Sequence, residues 1–295
     1  MAVPAGGPAV PFPRQLAGHA KDVLEGRVPP VTPRDAATVM LLRPVPPGSP
    51  GGTAAGVGDL QVYMLKRKSS MKFAPGAYVF PGGSVDPRDA DEDLAWAGPD
   101  AAEWGQVFDA PGALARALVC AAVRETFEES GVMLAGPSAG TVVADTTGED
   151  WEADRLALLD RSLSLAEMLT RRRLVLRSDL LRPWSRWITP VVEARRFDAR
   201  FFAAELPAGQ RTRDVGGEAA QVTWIRPADA IAAGRRGEIE VWFPTETTLR
   251  ELADCGTIAA VLGARREVAP IRPEVTLADD GTPQLSVPAD GGPPR

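Results

Sequence analysis

Histidine, cysteine and lysine are scarce in this 295-residue chain, and each scarcity removes a class of chemistry. The single histidine, His19, sits near the start of the sequence, so imidazole triads, histidine-rich metal sites and histidine proton shuttles are not expected. Two cysteines, Cys120 and Cys255, cannot build a disulfide framework or a cysteine-ligated zinc site, and they suit a reducing compartment. No run approaches the roughly 18–20 apolar residues of a membrane span, and residues 1–16 lack the basic start and apolar stretch of an export signal. The expectation is a soluble cytoplasmic protein with no membrane partner. Acidic residues outnumber basic ones by 39 to 33, a net charge of −6, which argues against nucleic acid as a partner. What remains is chemistry by carboxylates, by metals bound through oxygen, or by a bound cofactor. Only four lysines occur, and three of them, Lys66, Lys68 and Lys72, fall within seven residues.

With 44% hydrophobic residues the chain can bury a substantial core. Residues 1–33, broken by Pro and Gly, read as a flexible leader with a short helix over 15–24, and residues 266–295 read as a disordered tail. Between them, residues 34–265 read as one α/β domain. Two apolar, β-prone runs at 37–43 and 60–66 read as antiparallel neighbours, and a short strand at 78–80 precedes the turn Pro81-Gly82-Gly83. Residues 86–112 are acidic and irregular and contain Trp96 and Trp104, and they read as an inserted surface loop with some local packing. The strongest helix follows over 113–130, rich in Ala, Leu and Glu and stopped by Gly131. A second insertion over 149–181 supplies further helix. Later strands are expected at 186–188, 199–204 and 221–225, with helices at 227–235 and 245–255.

The strong helix contains Arg124-Glu125-Thr126-Phe127-Glu128-Glu129-Ser130-Gly131-Val132. Glu125, Glu128 and Glu129 stand at i, i+3 and i+4, so all three carboxylates project from one face and repel unless a positive charge lies among them. A hard divalent cation such as Mg²⁺ or Mn²⁺ suits such a set of oxygen donors. Upstream, Phe80-Pro81-Gly82-Gly83 puts a glycine turn directly after a strand, where backbone can approach a ligand and a carbonyl can face a metal.

Together these segments resemble the box of the Nudix family, G-x5-E-x7-R-E-U-x-E-E-x-G-U with U a bulky apolar residue. The second half is nearly complete as RETFEESGV, with Thr126 in place of the first U, while the first half is present as FPGG. The span from Gly83 to Arg124 exceeds the uninterrupted pattern by about 27 residues. Counting back from Arg124 puts Arg116 at the leading Glu, so that Glu is missing or supplied from the insertion. The resemblance implies a Nudix α/β/α sandwich with a mixed β-sheet and helical insertions, and hydrolysis of a nucleoside diphosphate linked to another group. It implies Glu128 and Glu129 as metal ligands, Glu125 as a further ligand or a base, Arg124 as the residue orienting them, and the Gly82 carbonyl completing a shell around Mg²⁺ or Mn²⁺. A later carboxylate before a strand is common in the family, and Glu218 in Gly216-Gly217-Glu218-Ala219 takes that place as a further catalytic candidate. A homodimer is also expected from the family.

Substrate choice points to the basic cluster. The coenzyme A pyrophosphatases of the family carry L-L-T-x-R-[SA]-x3-R-x3-G-x3-F-P-G-G, and this chain reproduces its spacing: Arg67 and Lys72 stand at the two Arg positions and Gly76 at the Gly, ahead of Phe80. Lys66, Arg67, Lys72, Gly76 and Phe80 are therefore the substrate-binding candidates, for a nucleotide small molecule with coenzyme A or an acyl-coenzyme A foremost. ADP-ribose, NADH and diadenosine polyphosphates share the diphosphate and remain alternatives, as do a non-catalytic ligand-sensing module and a scaffold built on the insertions.

Overall fold

The computed structural model describes residues 10–11, 17–46, 60–70, 74–91, 93–213 and 219–287. Strand β1 (Val10–Pro11) and helix α1 (Ala17–Leu24) come first. The two apolar runs form β2 (Arg34–Pro44) and β3 (Leu60–Arg67), antiparallel through Leu42 opposite Val62, as their composition predicts. Two short strands, β4 (Tyr78–Val79) and β5 (Gly82–Ser84), then wedge between them, β4 pairing with β3 and β5 with β2. The first insertion supplies a 3₁₀ turn at Pro87–Ala90, β6 (Trp96–Ala97) and α2 (Ala101–Phe108), and leads into α3 (Gly112–Ser130). After α3 come β7 (Ala135–Gly136), α4 (Glu149–Leu159), α5 (Leu165–Arg172) and β8 (Val175–Arg177). The long strands β9 (Arg182–Ile188), β10 (Phe197–Glu205) and β11 (Ala219–Ile225) complete the sheet. Helices α6 (Pro227–Arg235), α7 (Phe243–Cys255) and α8 (Ile258–Gly263) precede β12 (Pro270–Ile271), β13 (Glu274–Leu277) and β14 (Pro283–Ser286).

The main sheet runs β11-β3-β2-β10-β9-β12. It is mixed, because β2 and β10 are parallel, as are β9 and β12, while the other pairs are antiparallel. Side chains alternate across it with the two-residue period of a strand. Val39, Leu41, Tyr63 and Leu65 pack on the face covered by α3, while Met40, Leu42, Val62 and Met64 pack on the face covered by α7 and α8. Two helical layers on one sheet give the expected α/β/α sandwich. Among the described residues no single helix is long and apolar enough to cross a membrane.

Two segments differ from the sequence reading. The first insertion is part of the core rather than a surface loop: Asp100 caps α2 in a reciprocal box with Glu103, and the helix buries Trp104 and Phe108. Those rings stack at 5.4 Å, and both meet Phe202 of β10 edge-on. The Asp-x-x-Glu start is a capping signal that the acidic composition concealed. β8 then joins the two insertions, pairing with β6 on one side and β7 on the other. The segment after residue 266, expected to be disordered, instead carries β12 at the sheet edge and a β13–β14 hairpin that also pairs with β1. Ala20 and Val23 of α1 pack there with Val192 and Val275 in a small third core.

Because Phe108 is fully buried at the junction of insertion and sheet, Phe108→Ala is expected to lower unfolding free energy by about 3–5 kcal/mol, measured by urea denaturation. A change under about 0.5 kcal/mol would be that of a surface loop instead.

Candidate active site

Helix α3 is covered on most sides. Ala115, Ala121 and Ala122 are small enough to let neighbouring elements approach closely, and Leu118, Val119, Val123 and Phe127 fill the remaining core. Its carboxylates are also largely withdrawn from water, with Glu125 9% and Glu128 7% exposed. Buried carboxylates require a compensating charge, and Arg124 supplies it. Its Nη1 donates to Glu125 Oε1 at 2.7 Å and to Glu128 Oε1 at 3.1 Å. Its other edge makes a fork to Asp89, Nε to Oδ1 at 3.0 Å and Nη2 to Oδ2 at 2.9 Å, while Nη2 also donates to the Ser84 carbonyl at 3.0 Å.

The electrostatics follow from burial and this pairing. Burial acts to lower the Arg124 pKa, but its hydrogen bonds to Asp89 and the charges of Glu125, Asp89 and Glu128 outweigh it and hold the guanidinium above its ordinary value. Glu125 is pushed up to about 7, chiefly by burial; Arg124 opposes the rise and Glu128 adds to it. Burial also raises Glu128, against the pull of Arg124.

Asp89 is the residue that sequence reasoning missed. It is 3% exposed and sits on the 3₁₀ turn, where its Oδ2 also accepts the Asp86 N–H at 2.8 Å. The signal was available: Asp89 falls six residues after Gly83, the G-x5-E spacing with Asp for Glu, so the insertion lies after this carboxylate. Counting back from Arg124 led instead to Arg116, whose guanidinium lies over the Trp96 ring at 5.0 Å.

The glycine turn closes on the same helix face. Gly82 N–H donates to Glu129 Oε2 at 2.8 Å. A Cβ at Gly82 would lie 2.5 Å from the Ala37 carbonyl oxygen, and one at Gly83 only 2.4 Å from Glu125 Oε1. Only glycine at both positions lets β5 lie between β2 and the carboxylates. Among the described residues no three carboxylates, thiolates or imidazoles converge as a finished cation cage. The donor chemistry nevertheless fits a hard divalent ion: oxygen ligands alone, two of them raised in pKa by burial, beside a glycine turn.

The C-terminal end of α3 is clamped. Its last four carbonyls, which no helix can satisfy internally, accept from Gly131 N–H onto Phe127, Arg155 Nη1 onto Glu128, the Tyr63 hydroxyl onto Glu129 and Arg213 N–H onto Ser130. Gly131, in the left-handed region at φ 75°, ends the helix, and its own carbonyl accepts from Thr146.

The other expected residues divide. Lys66 and Arg67 end β3, beside Tyr78 of β4, with Lys66 Nζ 5.9 Å from the Tyr78 ring centroid. Gly76 adopts φ +77°, and a side chain there would meet nothing within 4 Å, so this glycine serves the turn rather than a close approach. Phe80 does not join the site: its ring is 3% exposed and packs edge-on to Phe201 at 6.5 Å, in the core on the far face of the sheet. Lys72 and Glu218 lie outside the described residues.

Against known proteins, the profile of the NUDT19 Nudix domain matches residues 100–252, just over half of the chain. An acyl-coenzyme A diphosphatase NUDT19 from Xenopus laevis is 29% identical over 223 residues, covering 63% of this chain and 57% of its own length. A protein of the same name from Gallus gallus is 28% identical over 249 residues, covering 70% and 64%. The chain therefore spans less than two thirds of either relative. The crystal structure of a NUDIX hydrolase from Alicyclobacillus acidocaldarius superimposes with a TM-score of 0.64 at 25% identity, covering 80% of this chain and 98% of that one.

Two outcomes are expected of the site. The folded state holds the Glu125 proton more tightly than the unfolded state, so this contribution is present below pH ~4.5 and lost as pH rises through about 7. In chelator, the unfolding free energy of Glu125→Gln, from urea denaturation, should therefore gain on that of the parent between pH 5 and 8, toward roughly 3 kcal/mol; a difference flat with pH would contradict it. Asp89→Ala leaves Arg124 buried without its fork and should cost about 3–5 kcal/mol in urea denaturation.

Proposed function

The chain belongs to the NUDT19 Nudix domain family, and on that premise we propose that it hydrolyses the diphosphate of coenzyme A or an acyl-coenzyme A, yielding adenosine 3′,5′-bisphosphate and the phosphopantetheine half. Water adds its oxygen to one phosphorus and the anhydride bond to the bridging oxygen breaks. The observation that carries the reading is the set of three α3 glutamates against the Gly82–Gly83 turn, Glu125 and Glu128 held by Arg124 and Glu129 by the Gly82 N–H. The names of the Xenopus and Gallus relatives support coenzyme A as the substrate class.

Glu125, Glu128, Glu129 and the Gly82 carbonyl would hold Mg²⁺ or Mn²⁺, which when bound neutralises the non-bridging oxygens of the diphosphate and activates water for attack. The chain's own task is orientation. Arg124 fixes Glu125 and Glu128 through one nitrogen, and Gly82 N–H fixes Glu129, so little rearrangement is needed once substrate arrives. Lys66 and Arg67 leave β3 beside the start of β4, and we assign them contact with substrate phosphates. Glu218, the carboxylate shortly before β11 in the sequence, is the candidate base. We assign the protein a small-molecule nucleotide substrate and, from the family, a homodimeric state.

Purified protein with Mg²⁺, offered coenzyme A, acyl-coenzyme A, NADH, ADP-ribose and diadenosine polyphosphates, should turn over the coenzyme A compounds with the highest kcat/KM. Glu128→Gln should lower kcat by at least about 100-fold, and Lys66→Ala or Arg67→Ala should raise KM. Preference for ADP-ribose would overturn the substrate assignment, and turnover unaffected by Glu128→Gln would overturn the site.

A further inference from the structure

The donor on the Glu128 carbonyl carries a full charge. Arg155 is 2% exposed, and its Nη1 reaches that oxygen at 2.9 Å from α4, in the second insertion. Helix ends ordinarily satisfy such carbonyls with water, backbone N–H groups or a glycine turn. Withdrawing a guanidinium from water is costly, and apolar side chains of the same volume often serve stability as well or better. A buried arginine at this place therefore calls for a use besides stability.

The guanidinium is itself held. Glu152, one turn earlier on α4, accepts from Arg155 Nε at 2.9 Å and from Nη2 at 2.6 Å. Its Oε2 also pairs with Arg213 Nη1 at 3.3 Å, and the Arg213 backbone N–H donates to the Ser130 carbonyl at 3.0 Å. One carboxylate thus fastens together two arginines that both bond to the last turn of α3, one through its side chain and one through its backbone. α4 is seated on the same helix by Trp151, which meets Phe127 edge-on at 5.8 Å, with Arg172 of α5 over the indole at 3.7 Å. Glu128 is thereby gripped at both ends, its carboxylate by Arg124 Nη1 at 3.1 Å and its carbonyl by Arg155.

We propose that Arg155 is a positioning residue for the metal-binding end of α3, fixing the Glu128 backbone so that the carboxylates of Glu128 and Glu129 meet a divalent cation without rearrangement. The role rests on the diphosphatase reading, in which these glutamates hold the metal. Ligand distances around such an ion vary by only about 0.2 Å, so a last turn that frays by more than that loses affinity. The second insertion, far from the metal ligands in sequence, thereby sets how tightly the site holds its ion.

Mn²⁺ alone, titrated into metal-free protein and followed by electron paramagnetic resonance, tests the role without turnover. Arg155→Met keeps the volume but loses the donor, and should weaken Mn²⁺ binding by about 10- to 100-fold. Arg155→Lys keeps the charge beside Glu152 and so keeps the fold. One ammonium cannot replace the fork, and Mn²⁺ binding should weaken by at least about 3-fold. Leu252→Ala, in the core on the far face of the sheet, should lower the melting temperature and leave Mn²⁺ affinity at the parent's value. In saturating Mg²⁺ the Arg155 variants should lose kcat for coenzyme A and keep its KM, because a buried side chain offers substrate no contact. Parent-like Mn²⁺ affinity in either folded Arg155 variant, or an equal loss in Leu252→Ala, overturns the positioning role. A parent that binds Mn²⁺ more tightly than the Arg155 variants yet hydrolyses no coenzyme A compound keeps the role and loses the coenzyme A reading. A parent that binds no Mn²⁺ overturns both.

Discussion

One guanidinium bears the main electrostatic burden of this protein. Arg124 lies where two nearly buried glutamates, a buried aspartate and a strand carbonyl meet, and each of those groups would be costly to bury without it. The three acidic partners come from two places, the face of α3 and the turn after β5. The position of the helix against the sheet and the path of the chain after Gly83 are therefore set by one side chain. Packing alone would allow α3 to slide along the apolar face of β2; the fork to Asp89 and the bond to the Ser84 carbonyl fix its register.

The sheet makes room for this arrangement. β2 and β3 pair with each other only from Leu42 to Pro44; toward their other ends they part, and β4 and β5 fill the opening. The glycine turn therefore lies inside the sheet's own plane, under α3, rather than on a loop above it. That location explains the two glycines, since backbone must fit between the Ala37 carbonyl and the Glu125 carboxylate.

Much of this was legible in advance. Strand alternation in β2 and β3, the long Ala-rich helix, the carboxylate spacing on α3 and the glycine turn all follow from local pattern, and the structure brings Arg124, Glu125, Glu128, Glu129, Gly82 and Gly83 together. What was not legible depended on distant partners. Asp89 was hidden because the insertion after it breaks the count from Arg124, although the count from Gly83 reaches it. Phe80 reads as part of a motif, but strand alternation turns its ring to the opposite core. In the acidic first insertion Trp104 announces local packing, but its place in the main core with Phe108 depends on Phe202, nearly a hundred residues later. Likewise the Pro- and Gly-rich end of the chain gains order through pairing with β9 and β1, which no local window reveals.

The clamped end of α3 bears on how this protein could change over evolutionary time. Its terminal carbonyls draw donors from β3, from α4 in the second insertion and from the segment before β11. An insertion that merely decorated the surface could be trimmed without consequence. Deleting α4 here would remove Arg155 and leave the Glu128 carbonyl without its donor beneath a carboxylate of the site. The second insertion is therefore an appendage that has become structural, and lineages that acquired it can shed it only by finding another donor for that oxygen.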